Sequence, residues 1–165
     1  MTFQRSAGFT LIELILVVAI FGVMAAGSLL AINPLEQFKK SNDSKRKSDL
    51  AQIQRSLEAY YQDYGRYPLS SSYQIVDTNP VPFGSSWQPY INLLPDDPIE
   101  TRSYVYYVSA NRQSYVIYAS LERGANDPDS CNDGDVCANM SAYGVSGTAC
   151  GVVCNYGVSS PDIRP

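Results

Sequence analysis

Hydrophobic and polar positions divide this chain sharply. Residues 9–32 (FTLIELILVVAIFGVMAAGSLLAI) form an almost unbroken apolar run, whereas everything after Asn33 is mixed and polar. At 1.5 Å of rise per residue the run makes a helix of roughly 36 Å, enough to cross a hydrocarbon core of about 30 Å with some tilt. A secretory signal peptide is the competing reading, but its apolar region is usually about 7–15 residues long and holds no acid, whereas this one is longer and contains Glu13. Asn33-Pro34 is expected to bend or open the helix, because proline lacks an N–H and its ring clashes with the preceding turn. Residues 39–48 are polar on every face and read as a solvated helix surface or a subunit contact, with lipid-headgroup or DNA attraction as the sharper alternatives. From Leu50 the apolar side chains Leu50, Ile53, Leu57, Tyr60, Tyr61 and Tyr64 recur at helical spacing, so one stripe faces a core. Gly65 and Pro68 supply the stop.

Residues 66–100, rich in Pro, Ser and Asn, predict a long connecting loop with at most a short helix or strand. Trp87 and Tyr90 are expected to anchor that loop by packing. Residues 103–108 and 114–121 alternate and are rich in Tyr, Val and Ile, with Asn111-Arg112 between them, which predicts a hairpin. On its second strand Tyr115, Ile117, Ala119 and Leu121 share one face, expected to pack on the Leu50-to-Tyr64 stripe. The predicted class is α+β: a long N-terminal helix packed on a small antiparallel sheet. The expected segments are residues 9–33 as a membrane-spanning helix, 34–64 as its amphipathic second half, and 65–165 as a head. The head comprises a loop (65–102), the hairpin (103–121) and a Cys/Asp-rich tail (122–165).

Composition narrows the chemistry. The 165 residues suit one domain, and a net charge of -4 gives no global attraction for nucleic acid. There is no histidine, so triads of the Ser-His or Cys-His kind cannot be built. Asp96, Asp97 and Glu100 are the acids a carboxylate enzyme would use, but nothing pairs them in a cleft, and no enzyme is expected. Cys131, Cys137, Cys150 and Cys154 favour two disulfides in an exported domain; three pairings are open. Their spacing matches no usual zinc ribbon.

A carboxylate near the start of a membrane span is costly. The run Gly8-Phe9-Thr10-Leu11-Ile12-Glu13-Leu14 resembles the class III signal of type IV pilins and type II secretion pseudopilins. The resemblance implies a leader, residues 1–8 with Arg5 as its basic residue, removed by prepilin peptidase between Gly8 and Phe9. It also implies N-methylation of Phe9 and a pilin-like fold. The new amine on Phe9 of an incoming subunit would pair with Glu13 of one already assembled, giving each buried ion a partner. Family helices often carry a proline where Leu30 stands; here Gly27-Ser28 and Pro34 bracket that position. The implied topology puts the head outside the cytoplasm, against the inward bias that Lys39, Lys40, Lys45, Arg46 and Lys47 would suggest on their own.

Two further pieces look like the major pseudopilin of type II secretion: Asp63-Tyr64-Gly65-Arg66-Tyr67-Pro68, and Trp87-Gln88-Pro89-Tyr90 leading to Leu94-Pro95-Asp96-Asp97-Pro98. The Cys-rich tail instead points to a type IV pilin. The resemblance implies a calcium site in the loop after the hairpin, with Asp127, Asp129, Asp133 and Asp135 as candidate ligands; a plain solvated Asp/Asn/Gly loop is the other reading. Implied partners are further copies of the chain in a helical filament, prepilin peptidase, an inner-membrane assembly platform, minor pilins or pseudopilins, and the membrane before assembly. No nucleic-acid partner is expected. The implied location is the inner membrane first, then a periplasmic or cell-surface filament. A filament dedicated to DNA uptake or adhesion is the alternative.

Overall fold

The computed structural model describes residues 8–165, and for residues 29–32 the backbone alone. Residues 1–7, with Arg5 of the expected leader, lie outside the described residues. The chain divides into two compact units, the second being Lys39–Pro165.

In the first unit, α1 (Leu11–Ile32) is a continuous helix whose large side chains from Leu11 to Met24 are exposed. None of the span Leu11–Ser28 is buried within the chain. Asn33 ends α1 in the left-handed region (φ 42°, ψ 75°), a conformation asparagine tolerates at a helix C-terminus. Pro34 then opens α2 (Pro34–Tyr64), where its fixed φ and missing N–H suit a first helical position. Asn33 O accepts from the N–H of Glu36 (3.2 Å).

In the second unit, α2 buries Leu50, Ile53, Leu57 and Tyr60, the stripe its spacing predicts, with Tyr61 half-buried and Tyr64 exposed. Gly65, at φ 64°, stops the helix and donates its N–H to Tyr61 O (2.8 Å). The segment expected to be a loop is more ordered than its composition suggests. β1 (Leu69–Ser71), β2 (Gln74–Val76) and β3 (Pro80–Val81) form a small antiparallel sheet in that order. Ser72 and Tyr73 both have positive φ, as a two-residue hairpin loop requires, but neither is the glycine or asparagine that would announce it.

β4 (Val105–Val108) and β5 (Tyr115–Ala119) form the predicted hairpin, with Val105 opposite Tyr118 and Val108 opposite Tyr115. β6 (Tyr156–Ser159) returns from the tail and pairs antiparallel with β5, making the order β4-β5-β6. β5 is therefore central, and all five of its residues are buried. Tyr115, Ile117 and Ala119 join the core formed with α2, while Val116 and Tyr118 face a second core of Val105, Cys137, Met140, Val145, Cys150 and Cys154. The sequence expectation placed a core on one face only. The tail covers the other, so helix, sheet and tail stack as three layers. Disulfides join Cys131 to Cys137 and Cys150 to Cys154, resolving the three pairings into two local loops.

Candidate functional site

Gly8, Phe9 and Thr10 precede α1 without helical structure and are exposed. Thr10 is the N-cap. Its Oγ1 accepts from the N–H of Glu13 (3.3 Å), while Glu13 Oε2 accepts from the Thr10 N–H (2.9 Å) and hydroxyl (2.7 Å). This capping box satisfies the first backbone donors of α1 and holds the carboxylate where the helix dipole favours negative charge. The signal, threonine followed three residues on by glutamate, stands in the sequence. It gives Glu13 a role within one chain besides the pairing that the motif implies between chains.

A second constellation lies where the polar run of α2 meets the head. Arg46 is completely buried. Its Nε and Nη2 donate to the two oxygens of Asp97 (2.8 and 2.9 Å), a bidentate fork, and its Nη1 donates to Asp43 Oδ1 (2.8 Å) and Glu122 Oε1 (3.1 Å). Asp43 also accepts the backbone N–H groups of Glu122 (2.8 Å) and Arg123 (2.9 Å). One arginine thus ties α2 to the loop before β4 and to the chain leaving β5. Burial pulls its pKa down, but the carboxylates, Asp97 foremost, outweigh that and raise it, so the guanidinium stays charged. Glu122 is desolvated too, which would raise its pKa; hydrogen bonds from Asn42 and Arg46 prevail and lower it.

Beside this cluster, Lys45 Nζ reaches Asp49 Oδ2 (2.7 Å), which also accepts the hydroxyl of buried Tyr104 (2.8 Å). Lys47 Nζ contacts Asp127 Oδ1 (2.7 Å) and Asp129 Oδ2 (2.8 Å) and lies 5.6 Å from the ring centroid of Tyr156. Desolvation opposes charge on Lys47, but the two aspartates win and raise its pKa; Asp127 is lowered in turn despite its own desolvation. The expectation of a solvated run across residues 39–48 is therefore corrected for Asp43 and Arg46, while Lys40, Ser41, Ser44, Lys45 and Ser48 are exposed as expected. Asp43, Arg46 and Asp49 are buried, and Lys45, Arg46 and Lys47 are engaged by carboxylates of the same chain, which removes most of the charge a nucleic-acid patch would need.

The four aspartates proposed for calcium are not gathered. Asp127 and Asp129 face Lys47. Asp133 sits in a tight turn at φ 56°, and Asp135 Oδ1 accepts from the neighbouring Val136 N–H (3.2 Å). Among the described residues no group of three or more His, Cys, Asp or Glu side chains is arranged to hold a metal. Calcium takes about six to eight oxygens, and this donor set does not fit it. Asp97, named for a carboxylate enzyme, is spent on Arg46. Trp87 is buried against Tyr60 (5.7 Å between rings) and Tyr90 (5.0 Å) as packing.

An exposed apolar helix N-capped by Thr10 and long enough to span a membrane, followed by a helix-on-sheet head with a disulfide-bonded tail, defines a pilin-like α+β fold. The chain matches the family described as Type II secretion system (T2SS), protein G over residues 33–138, and the Prokaryotic N-terminal methylation motif over residues 3–29. It belongs to the Type II secretion system protein G family. It is similar to Type II secretion system core protein G of Dickeya chrysanthemi (34% identical over 100 residues, 58% of this chain and 64% of that protein) and of Klebsiella pneumoniae (35% over 100 residues, 58% and 70%). The namesake of Pseudomonas aeruginosa is 28% identical over 138 residues, covering 81% of this chain and 94% of its own. Against the Dickeya protein the chain thus spans less than two thirds of the relative's length. No solved structure matches the chain.

Proposed function

We propose that this chain is a structural subunit of a type II secretion pseudopilus, processed between Gly8 and Phe9 and assembled through α1. The observation that carries the reading is the exposure of every large side chain from Leu11 to Met24 in a helix long enough to span a membrane, within a chain of this family. So much apolar surface requires a lipid or protein environment. Before assembly the helix sits in the inner membrane with the head outside the cytoplasm; afterwards the helices bury one another in a periplasmic filament. Prepilin peptidase, an inner-membrane platform and minor pseudopilins are the partners this requires. Gly8 offers the protease an exposed backbone with no side chain, and the cut leaves a new amine next to the Thr10–Glu13 cap. In the filament that amine of one subunit meets Glu13 of another, where the pair sets register more than stability. The engagement of Lys45, Arg46 and Lys47 within the head argues against a filament specialised for DNA uptake.

Mass spectrometry of the mature N-terminal peptide tests the first step: the expected peptide begins at a methylated Phe9. A mature chain still carrying residues 1–8 would sink it. For assembly, Glu13→Leu subunits expressed beside wild type are expected to be largely absent from filaments, and their normal incorporation would exclude the pairing.

A further inference from the structure

We infer that the ammonium group of Lys47 is the resident cation of the Asp127–Asp129 loop, so that the tail of this subunit is closed by its own helix α2 and needs no bound divalent metal. Lys47 Nζ lies 2.7 Å from Asp127 Oδ1 and 2.8 Å from Asp129 Oδ2, so the two carboxylates converge on one point, and that point is occupied by a covalently attached positive charge. The loop is shaped around it: Asp127 Oδ1 also accepts the Asp129 N–H (3.0 Å), which fixes the spacing of the two acids. The ring of Tyr156, on β6, faces the same ammonium. A second cation at this point would be repelled by Lys47, and among the described residues no third His, Cys, Asp or Glu side chain joins the pair to hold a metal.

Other work that a metal would do for such a loop is done by the chain. Ser130 Oγ donates to the carbonyls of Gly124 (2.7 Å) and Asp127 (2.8 Å), and Cys131 N–H donates to Asn155 O (2.8 Å). Asn155 Nδ2 in turn donates to the carbonyls of Leu121 (3.2 Å) and Gly134 (3.3 Å), and the Cys131–Cys137 disulfide closes the segment that follows. Lysine, serine, asparagine and disulfide together pin both ends of the loop. The subunit is therefore expected to keep its head folded in calcium-poor surroundings. This can fail while the filament reading stands, because it concerns the head alone.

The test is the thermal melting of the full chain in detergent micelles, followed by circular dichroism. Wild type is expected to melt within about 1 °C of the same temperature in millimolar calcium chloride and in excess chelator, since a ligand that binds only the native state must raise Tm. Lys47→Met is expected to melt about 2–4 °C lower, with Lys47→Arg close to wild type. The double variant Asp127→Asn/Asp129→Asn should lose a similar amount, and combining it with Lys47→Met should cost little more, because all three groups share one interaction. A wild-type Tm that rises by several degrees with calcium and falls with chelator would overturn the inference. So would fully additive losses, or a Lys47→Met chain as stable as wild type. If Lys47→Met fails to fold, the calcium and chelator melts of wild type and of the double Asn variant decide the matter.

Discussion

The two helices invert the usual rule of inside and outside. α1, apolar but for Glu13 in its first turn, exposes its leucines, isoleucines and valines from Leu11 to Val23; α2, whose residues 39–48 are polar all round, buries an arginine and two aspartates completely or nearly so. The difference shows where each helix finds its partners. Apolar side chains with nothing to cover them within the chain need lipid or other subunits, and the van der Waals contacts they make are interchangeable among neighbours. Buried charges tolerate no such substitution: each needs a specific partner at hydrogen-bond distance, and here every partner is in the same chain. The first helix must find its cover outside the chain, whereas the second holds one head in one conformation.

The sharpest way to break this contrast is at Arg46. Arg46→Met is expected to destabilise the head by about 3–5 kcal/mol, the usual cost of leaving buried carboxylates without their cation, as measured by denaturant unfolding of the full chain in micelles. A loss below about 1 kcal/mol would mean the cluster behaves like a surface ion pair.

Acid should separate the two helices next. Glu122 and Asp127 have lowered pKa values in the folded head, so their contribution is fully present above the unfolded carboxylate range and is lost as pH falls through their folded values. The head's Tm is expected to be flat above about pH 5 and to fall steadily below about pH 4, while the helicity of α1 in micelles changes little. Lys47 works in the opposite sense: its raised pKa means its contribution is lost only in strong alkali.

The smallest expected effect is at the start of α1. Thr10→Ala removes the hydroxyl half of the capping box, and the amides of the first turn should exchange roughly fivefold faster in micelles, with no change in the head. An unchanged exchange rate would indicate that the membrane interface, and not the cap, orders this end of the helix.

How much of this could be read along the chain depends on the distance between interacting residues. The Leu50, Ile53, Leu57 and Tyr60 stripe and the alternating β4 and β5 strands are local patterns, and they appear in the structure as spaced. The hairpin at Ser72-Tyr73 was not legible because those residues adopt positive φ without the glycine or asparagine that signals it. β6 was hidden because four half-buried residues inside a Cys-rich tail carry too short a pattern, and what makes them a strand is the open edge of β5.

By itself, then, the sequence determined the apolar first helix and the Leu50, Ile53, Leu57 and Tyr60 stripe of the second, because each rests on composition or spacing within a few turns. Only the tertiary structure decided that Asp43 and Arg46 in the polar run of α2 turn inward, that the aspartate loop closes on Lys47, and that β5 is buried on both faces. The reason is that a charged residue is written the same way whether water or a carboxylate solvates it. Asp97 and Glu122 are 51 and 76 residues from Arg46, and only the folding of the head brings them to it.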